Sequence, residues 1–288
     1  MTRHDPQRGL SFDSEAHHYD RFRPRYPREV FDDIATLGAI DATSEILEVG
    51  CGPGVATEEM IARGWSVLAV DPGKQFAELA RAKFLRGRFS FEVSTFDEWH
   101  PRGRRFDMLL AATAFHWVAP DLRWVKAAQI LKDGALLALV TNEDVNEGSY
   151  HDFIEATRVI REDYGVEEEG DVRTLEEYRQ WVTSARDDVG ALWEAMSPHG
   201  STTLARELFA PPKVRFYPWR MKYVTNEVRG LLGTYPRFLV LEREAREQLF
   251  TRLGEVIDND FGGELTRHYV AVLATAQRYV VTERPSTP

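Results

Sequence analysis

Short apolar runs punctuate the chain at residues 46–49, 65–70, 106–112 and 135–140, and segments of helical periodicity lie between them. Each run is mostly apolar at successive positions rather than alternating, interrupted once each by Glu48, Ser66 and Asp107 in the first three, the pattern of a parallel strand covered on both faces. A weaker strand is predicted over 88–93. The spacing predicts helices over 55–63, closed by Gly64, over 74–84 and over 122–131. Strand followed by helix, repeated, predicts an α/β fold with helices on both faces of a mostly parallel sheet.

The flanks read differently. Residues 1–11 are polar. A short helix is predicted over 12–22 with Asp13 or Ser14 as its N-cap, and Arg23-Pro24-Arg25-Tyr26-Pro27 ends it, because each proline disfavours helix at the residue before it. A second helix runs over 28–37. Beyond residue 142, the stretch to about 212 is too long for a plain connection. Tyr150, Phe153, Ile154, Thr157, Ile160 and Tyr164 fall near one helical face. Thr174 and Glu177 form a capping box. Behind it Tyr178, Trp181, Val182, Ala185, Val189, Leu192 and Trp193 make an aromatic stripe. Residues 213–223 alternate as a strand despite Pro218. Helices over 226–232 and 242–257, separated by Tyr235-Pro236, precede a last strand over 265–277. The expected organisation is a core with an N-terminal segment over 1–142, a helical insert over 143–212, and a C-terminal part over 213–288 that completes the sheet.

Composition narrows the classes. The chain has 288 residues, 43% of them hydrophobic, and carries a net charge of −10. That length buries a sizeable core, and the acidic balance argues against general nucleic-acid binding. The single cysteine excludes an intrachain disulfide and fits a reducing cytoplasm. No apolar leader and no bilayer-length apolar run is expected from the sequence.

The chemistry concentrates behind the first apolar run. Glu48-Val49-Gly50-Cys51-Gly52-Pro53-Gly54 carries a strand into a turn where glycines let the backbone approach a ligand closely. The next strand ends in Asp71, placed to accept hydrogen bonds from both hydroxyls of a ribose. A dinucleotide fingerprint requires a glycine where Val55 stands. Glu48 would also repel a pyrophosphate, and it suits a ligand with a cationic amino group.

With Ser94-Thr95-Phe96-Asp97-Glu98-Trp99 and Ala114-Phe115-His116-Trp117-Val118, these motifs resemble those of the class I S-adenosylmethionine (SAM)-dependent methyltransferases. The likeness is to the small-molecule branch that includes trans-aconitate methyltransferase-like proteins, and it covers residues 12–142 best. It implies a Rossmann-like sheet of seven strands, the last antiparallel between the fifth and sixth. It implies SAM as cofactor, O- or N-methylation of a small molecule, and no metal. The implied cofactor residues are Glu48, Gly50, Cys51, Gly52, Gly54, Asp71, Pro72, Phe96, Asp97 and Thr113, with Tyr19 and Tyr26 from an N-terminal lid. Asp97 is expected on the adenine amino group with Phe96 beside the ring. His116 is the candidate general base. Thr141 stands where many relatives carry tryptophan. The insert is expected to cap the acceptor site. Arg21, Arg23, Arg25 and Arg28 suggest a carboxylate clamp, whereas Trp181, Trp193 and Trp219 suit a flat apolar acceptor. The rival classes are a nicotinamide-dependent oxidoreductase, opposed by Glu48 and Val55, and a non-catalytic interaction module, opposed by intact motifs.

Overall fold

The computed structural model describes residue 13 and residues 16–166, 172–184, 189–190, 192 and 203–280. Seven strands form one sheet: β1 (Glu45–Val49), β2 (Ser66–Asp71), β3 (Phe89–Val93), β4 (Phe106–Ala112), β5 (Leu131–Val145), β6 (Lys213–Val224) and β7 (Glu264–Gln277). Their spatial order is β3-β2-β1-β4-β5-β7-β6. The first five are parallel, and β7 enters antiparallel between β5 and β6. The α/β expectation and the place of the last strand therefore hold.

Alternate side chains of the apolar runs feed two cores. Leu47, Val49, Leu109, Leu137 and Leu139 face one side, packed with Trp124 and Phe115. Ile46, Val67, Met108, Leu110 and Ala138 face the other, packed with Val30, Phe31 and Ile34. Those three come from the helix α2 (Arg28–Gly38), the second after α1 (Ala16–Phe22). The helices α3 (Thr57–Ala62), α4 (Lys74–Lys83) and α5 (Pro120–Ile130) follow strands β1, β2 and β4.

Several boundaries differ from the sequence pattern for physical reasons. Strand β5 extends to both sides of its apolar centre, because Leu131 pairs with Phe106 of β4 at one end and β7 offers ladder partners as far as Val145 at the other. It thereby runs three residues into the span expected to be insert. Strand β6 keeps Pro218 because it is the sheet edge, where a missing N–H costs no ladder bond. Among the described residues, Asp13 Oδ1 accepts from the Phe76 N–H at 2.8 Å, so it caps the start of α4. Ser14 lies outside the described residues.

The insert contributes α6 (Ser149–Ala156), α7 (Arg158–Glu162), α8 (Leu175–Ser184) and α9 (Thr203–Leu208). Tyr150, Phe153 and Ile154 join a third core with Leu249, Leu253 and Tyr269. The first two of those belong to α12 (Arg243–Asp260), which follows α10 (Thr225–Leu232) and α11 (Pro236–Leu239). The capping box is formed: Thr174 N–H donates to Glu177 Oε2 at 2.7 Å and Glu177 N–H to Thr174 Oγ1 at 3.3 Å. Behind it Tyr178 and Trp181 pack on Val145, Val270 and Val272 of the sheet, while Val182, Val189 and Leu192 enter the main core. Ala185 and Trp193 of the same stripe lie outside the described residues.

Candidate active site

A cavity of about 410 Å³ opens at the carboxyl ends of the parallel strands, where an open α/β sheet binds ligands. Of the thirteen site residues expected from the sequence, it gathers Tyr19, Tyr26, Glu48, Gly50, Cys51, Gly52, Asp71, Pro72, Phe96, Asp97, Thr113 and His116. Gly54 is the exception. A Cβ there would lie 2.4 Å from the Phe84 ring, and its φ is +90°. Gly54 therefore lets the turn pack on Phe84, just past the end of α4, and it is not among the residues that line the cavity.

The turn after β1 is tightly constrained. Gly50 has φ +68°, and a Cβ would sit 2.4 Å from the Ala114 Cβ, so the turn after β1 and the turn after β4 touch only because Gly50 has no side chain. Gly52 has φ +54° with open space around it. Its N–H donates to Asp71 Oδ2 at 2.9 Å, and Gly73 N–H donates to Oδ1 at 2.8 Å. Asp71 is thereby held at the tip of β2. It is buried, and desolvation pushes its carboxyl up to about 6. Glu48 is 1% exposed and accepts a 2.6 Å hydrogen bond from Thr57 Oγ1. Burial first, then the nearby Asp71 charge, push it up to about 8 against the Thr57 bond. Cys51 beside them is buried, which raises its thiol above the ordinary range.

The far wall comes from the ends of β4 and β5. Thr113 has φ +53°, costly for a β-branched residue and typical of functional sites. It is held by its N–H to Val140 O at 2.7 Å and by a 2.9 Å hydrogen bond between its hydroxyl and that of Tyr26. Burial raises the Tyr26 phenol above its usual range. His116 follows in a single 3₁₀ turn, Phe115–Trp117, and lines the cavity beside Trp117. Asp97 also lines the cavity while both its oxygens accept from the Ala119 N–H, at 3.1 and 3.3 Å, so it fixes the entry to α5 as well. Phe96 stacks on Trp99 with centroids 6.4 Å apart.

The N-terminal segment closes one side. Tyr19 packs edge-on against Phe76, and Lys83 pairs with Asp20 at 2.9 Å. Arg23 Nε donates to Thr234 Oγ1 at 2.9 Å, and its guanidinium lies 4.2 Å from the Tyr235 ring centroid and 4.9 Å from that of Tyr19. The four-arginine clamp is corrected in part: Arg21 lies over the Phe22 ring at 5.0 Å, Arg25 is engaged by Asp20 at 3.0 Å and Arg28 lies by Glu59 at 3.6 Å, while Arg23 lines the cavity.

The roof also differs from expectation. Among the described residues, none between 143 and 212 lines the cavity; Tyr235 and Pro236 do. Trp219 stacks on Tyr269 and borders a second, separate cavity of about 320 Å³. Sequence reasoning missed Tyr235, Pro236 and Asn142. The Tyr235-Pro236 pair was visible only as a helix breaker. Among the described residues, no group of three or more His, Cys, Asp or Glu side chains is placed to hold a metal, and no helix is long and apolar enough to cross a membrane.

Residues 46–134 match the model of a methyltransferase domain. An uncharacterised methyltransferase of Mycobacterium tuberculosis is 33% identical over 133 residues, 46% of this chain and 52% of its own length. Trans-aconitate 2-methyltransferase of Afipia carboxidovorans is 28% identical over 142 residues, 48% of this chain and 54% of its own. The chain thus spans about half the length of these curated relatives. An uncharacterised methyltransferase-like protein of Schizosaccharomyces pombe is 25% identical over 252 residues, 85% of each chain. Among solved structures, a candidate type II methyltransferase from Anaeromyxobacter dehalogenans superposes with a TM-score of 0.58 at 21% identity, covering 89% of this chain and 98% of that one.

Proposed function

We propose, from its place by motif and fold among the class I SAM-dependent methyltransferases, that this chain transfers a methyl group from SAM to a small-molecule acceptor. The observation that carries the reading is the meeting of Glu48, Gly52 and Asp71 at one end of the cavity, with Thr113 and His116 across it. Asp71 takes the ribose hydroxyls. Glu48 and the open backbone at Gly52 receive the aminoacyl part, whose ammonium offsets a buried acid. Asp97 and Phe96 receive the adenine. Val55 lines the cavity where a dinucleotide fold has its third glycine.

The methyl carbon leaves a sulfonium, so the carbon–sulfur bond breaks as the bond to the acceptor atom forms and the positive charge on sulfur disappears. The chain's task is alignment and exclusion of water. A carboxylate acceptor needs no base. A phenol, alcohol or amine gives up a proton, and the candidate base that receives it is His116, which lines the cavity. Tyr19, Arg23 and Tyr26, which line the cavity from the N-terminal segment, would cover the cofactor.

Calorimetry tests the cofactor: SAM and S-adenosylhomocysteine bind and NADH does not. Asp71→Ala weakens S-adenosylhomocysteine about ten- to a hundredfold, through loss of hydrogen bonds to a charged group. Binding of NADH without SAM overturns the reading. Transfer from labelled SAM into a metabolite extract, followed by mass spectrometry of the labelled product, identifies the acceptor.

A further inference from the structure

We infer that Asn142, held in one orientation by Trp219, is the specificity-determining hydrogen-bond donor for an acceptor that presents a lone-pair oxygen, most simply a carboxylate, beside the methylated atom. The inference rests on the methyl-transfer reading above and names the acceptor end of the same cavity.

Asn142 lies on β5 and lines the cavity. The Trp219 indole N–H donates to Asn142 Oδ1 at 3.1 Å. An indole nitrogen only donates, so the amide oxygen must face Trp219 and the NH₂ must face away. One of its hydrogens points to the Arg25 carbonyl at a long 3.4 Å. The other has no partner among the described residues, on a side chain that borders the cavity. Trp219 is itself fixed, its ring stacked on Tyr269 with centroids 4.7 Å apart and planes at 20°.

Charge along the cavity supports the assignment. The carboxylates that line it are Glu48, Asp71 and Asp97. They stand at the tips of β1 and β2 and just beyond β3, and β5 lies on the other side of β1 and β4 in the sheet. Neighbouring strands are ~4.8 Å apart, so Asp71 and Asn142 start from strand ends roughly 14 Å apart. Arg23, His116, Trp117, Tyr235 and Pro236 line the same cavity, and of its carboxylates Asp97 is engaged by the Ala119 N–H just beyond Trp117. A donor amide, a guanidinium and aromatic rings favour an oxygen bearing negative charge.

The test uses the full chain with SAM and a panel of small carboxylic acids, trans-aconitate and cinnamate among them, each beside its neutral amide. Wild-type protein is expected to methylate acids in preference to their amides. Asn142→Asp is expected to raise KM for the best acid more than about tenfold, because a donor becomes a like charge. Trp219→Phe keeps the ring on Tyr269 and removes only the N–H. It is expected to raise the same KM about three- to tenfold, with melting temperature and S-adenosylhomocysteine affinity unchanged, which a merely structural role for Trp219 would not produce. Equal rates on acids and amides, no transfer to any acid by protein that binds S-adenosylhomocysteine, or an unmoved KM in both variants overturns the inference. Failure of the wild type to bind S-adenosylhomocysteine overturns the methyl-transfer reading beneath it.

Discussion

Glu48 is a carboxyl buried beside a second acid, with a threonine hydroxyl as its hydrogen-bond donor. Its folded value, about 8, exceeds the ordinary 4.5, and Asp71 shifts the same way, from 3.8 to about 6. Between the ordinary and folded values the folded state binds more protons than the unfolded one. Stability of the ligand-free protein therefore falls as pH rises through this window and levels off above about 8. Glu48→Gln is expected to flatten that slope, measured as melting temperature between about pH 5 and 8.5. A cationic ligand reverses the preference and draws the proton off. SAM binding near pH 7 is thus expected to release protons, seen as a dependence of the calorimetric enthalpy on buffer ionisation. A slope and enthalpy identical in wild type and Glu48→Gln would remove Glu48 from the binding step. At this scale the sequence was informative because Glu48, Asp71 and the glycines are neighbours of strand ends. Asn142 was not legible in this way, since its orientation depends on Trp219, remote in sequence.

The Gly-rich turn is an element in which similar residues do different work. Gly50 admits the β4 turn, Gly52 opens to the cavity, and Gly54 packs on the Phe84 ring of the neighbouring segment. The sequence assigned all three to the cofactor, because the pattern alone does not show which way each Cα faces. Gly54→Ala is expected to cost roughly 1–3 kcal/mol through overpacking and a strained positive φ. That lowers the melting temperature, while S-adenosylhomocysteine affinity stays within about threefold of wild type when measured below the transition. A large affinity loss with normal melting would return Gly54 to the binding site. The N-terminal segment shows the same division. Its prolines and tyrosines were legible as a strap, but the partner of Arg23 is Thr234, and only folding brings these together.

Across the whole molecule, the described part of the insert is built into the core. Val182, Val189 and Leu192 pack with Phe115 and Trp124, and Tyr150 and Phe153 pack with the β7 and α12 side chains. Deletion of residues 149–208 is therefore expected to abolish both the cooperative thermal transition and S-adenosylhomocysteine binding, because several large buried side chains lose their partners at about 1.5–3 kcal/mol each. Retention of a sharp transition and of binding would show that the insert is a separable cap. The described residues of 143–212 thus pack on the sheet and residues 213–280 supply β6 and β7, even though residues 46–134 alone carry the domain match.

The sequence by itself determined what local pattern encodes. Apolar runs define parallel strands, glycines define the turn at β1, and an acid at a strand end defines a polar contact at the sheet's open edge. These features arise within a few residues, so composition and spacing suffice. The tertiary structure alone decided which distant groups meet. It ran β5 out along β7, turned Gly54 away from the cavity, laid Tyr178 and Trp181 of the aromatic stripe on the sheet, and placed Tyr235, Pro236 and a Trp219-oriented Asn142 on the cavity wall. Those outcomes depend on packing between segments up to 211 residues apart, as in the Arg23–Thr234 bond, and no local periodicity carries that information.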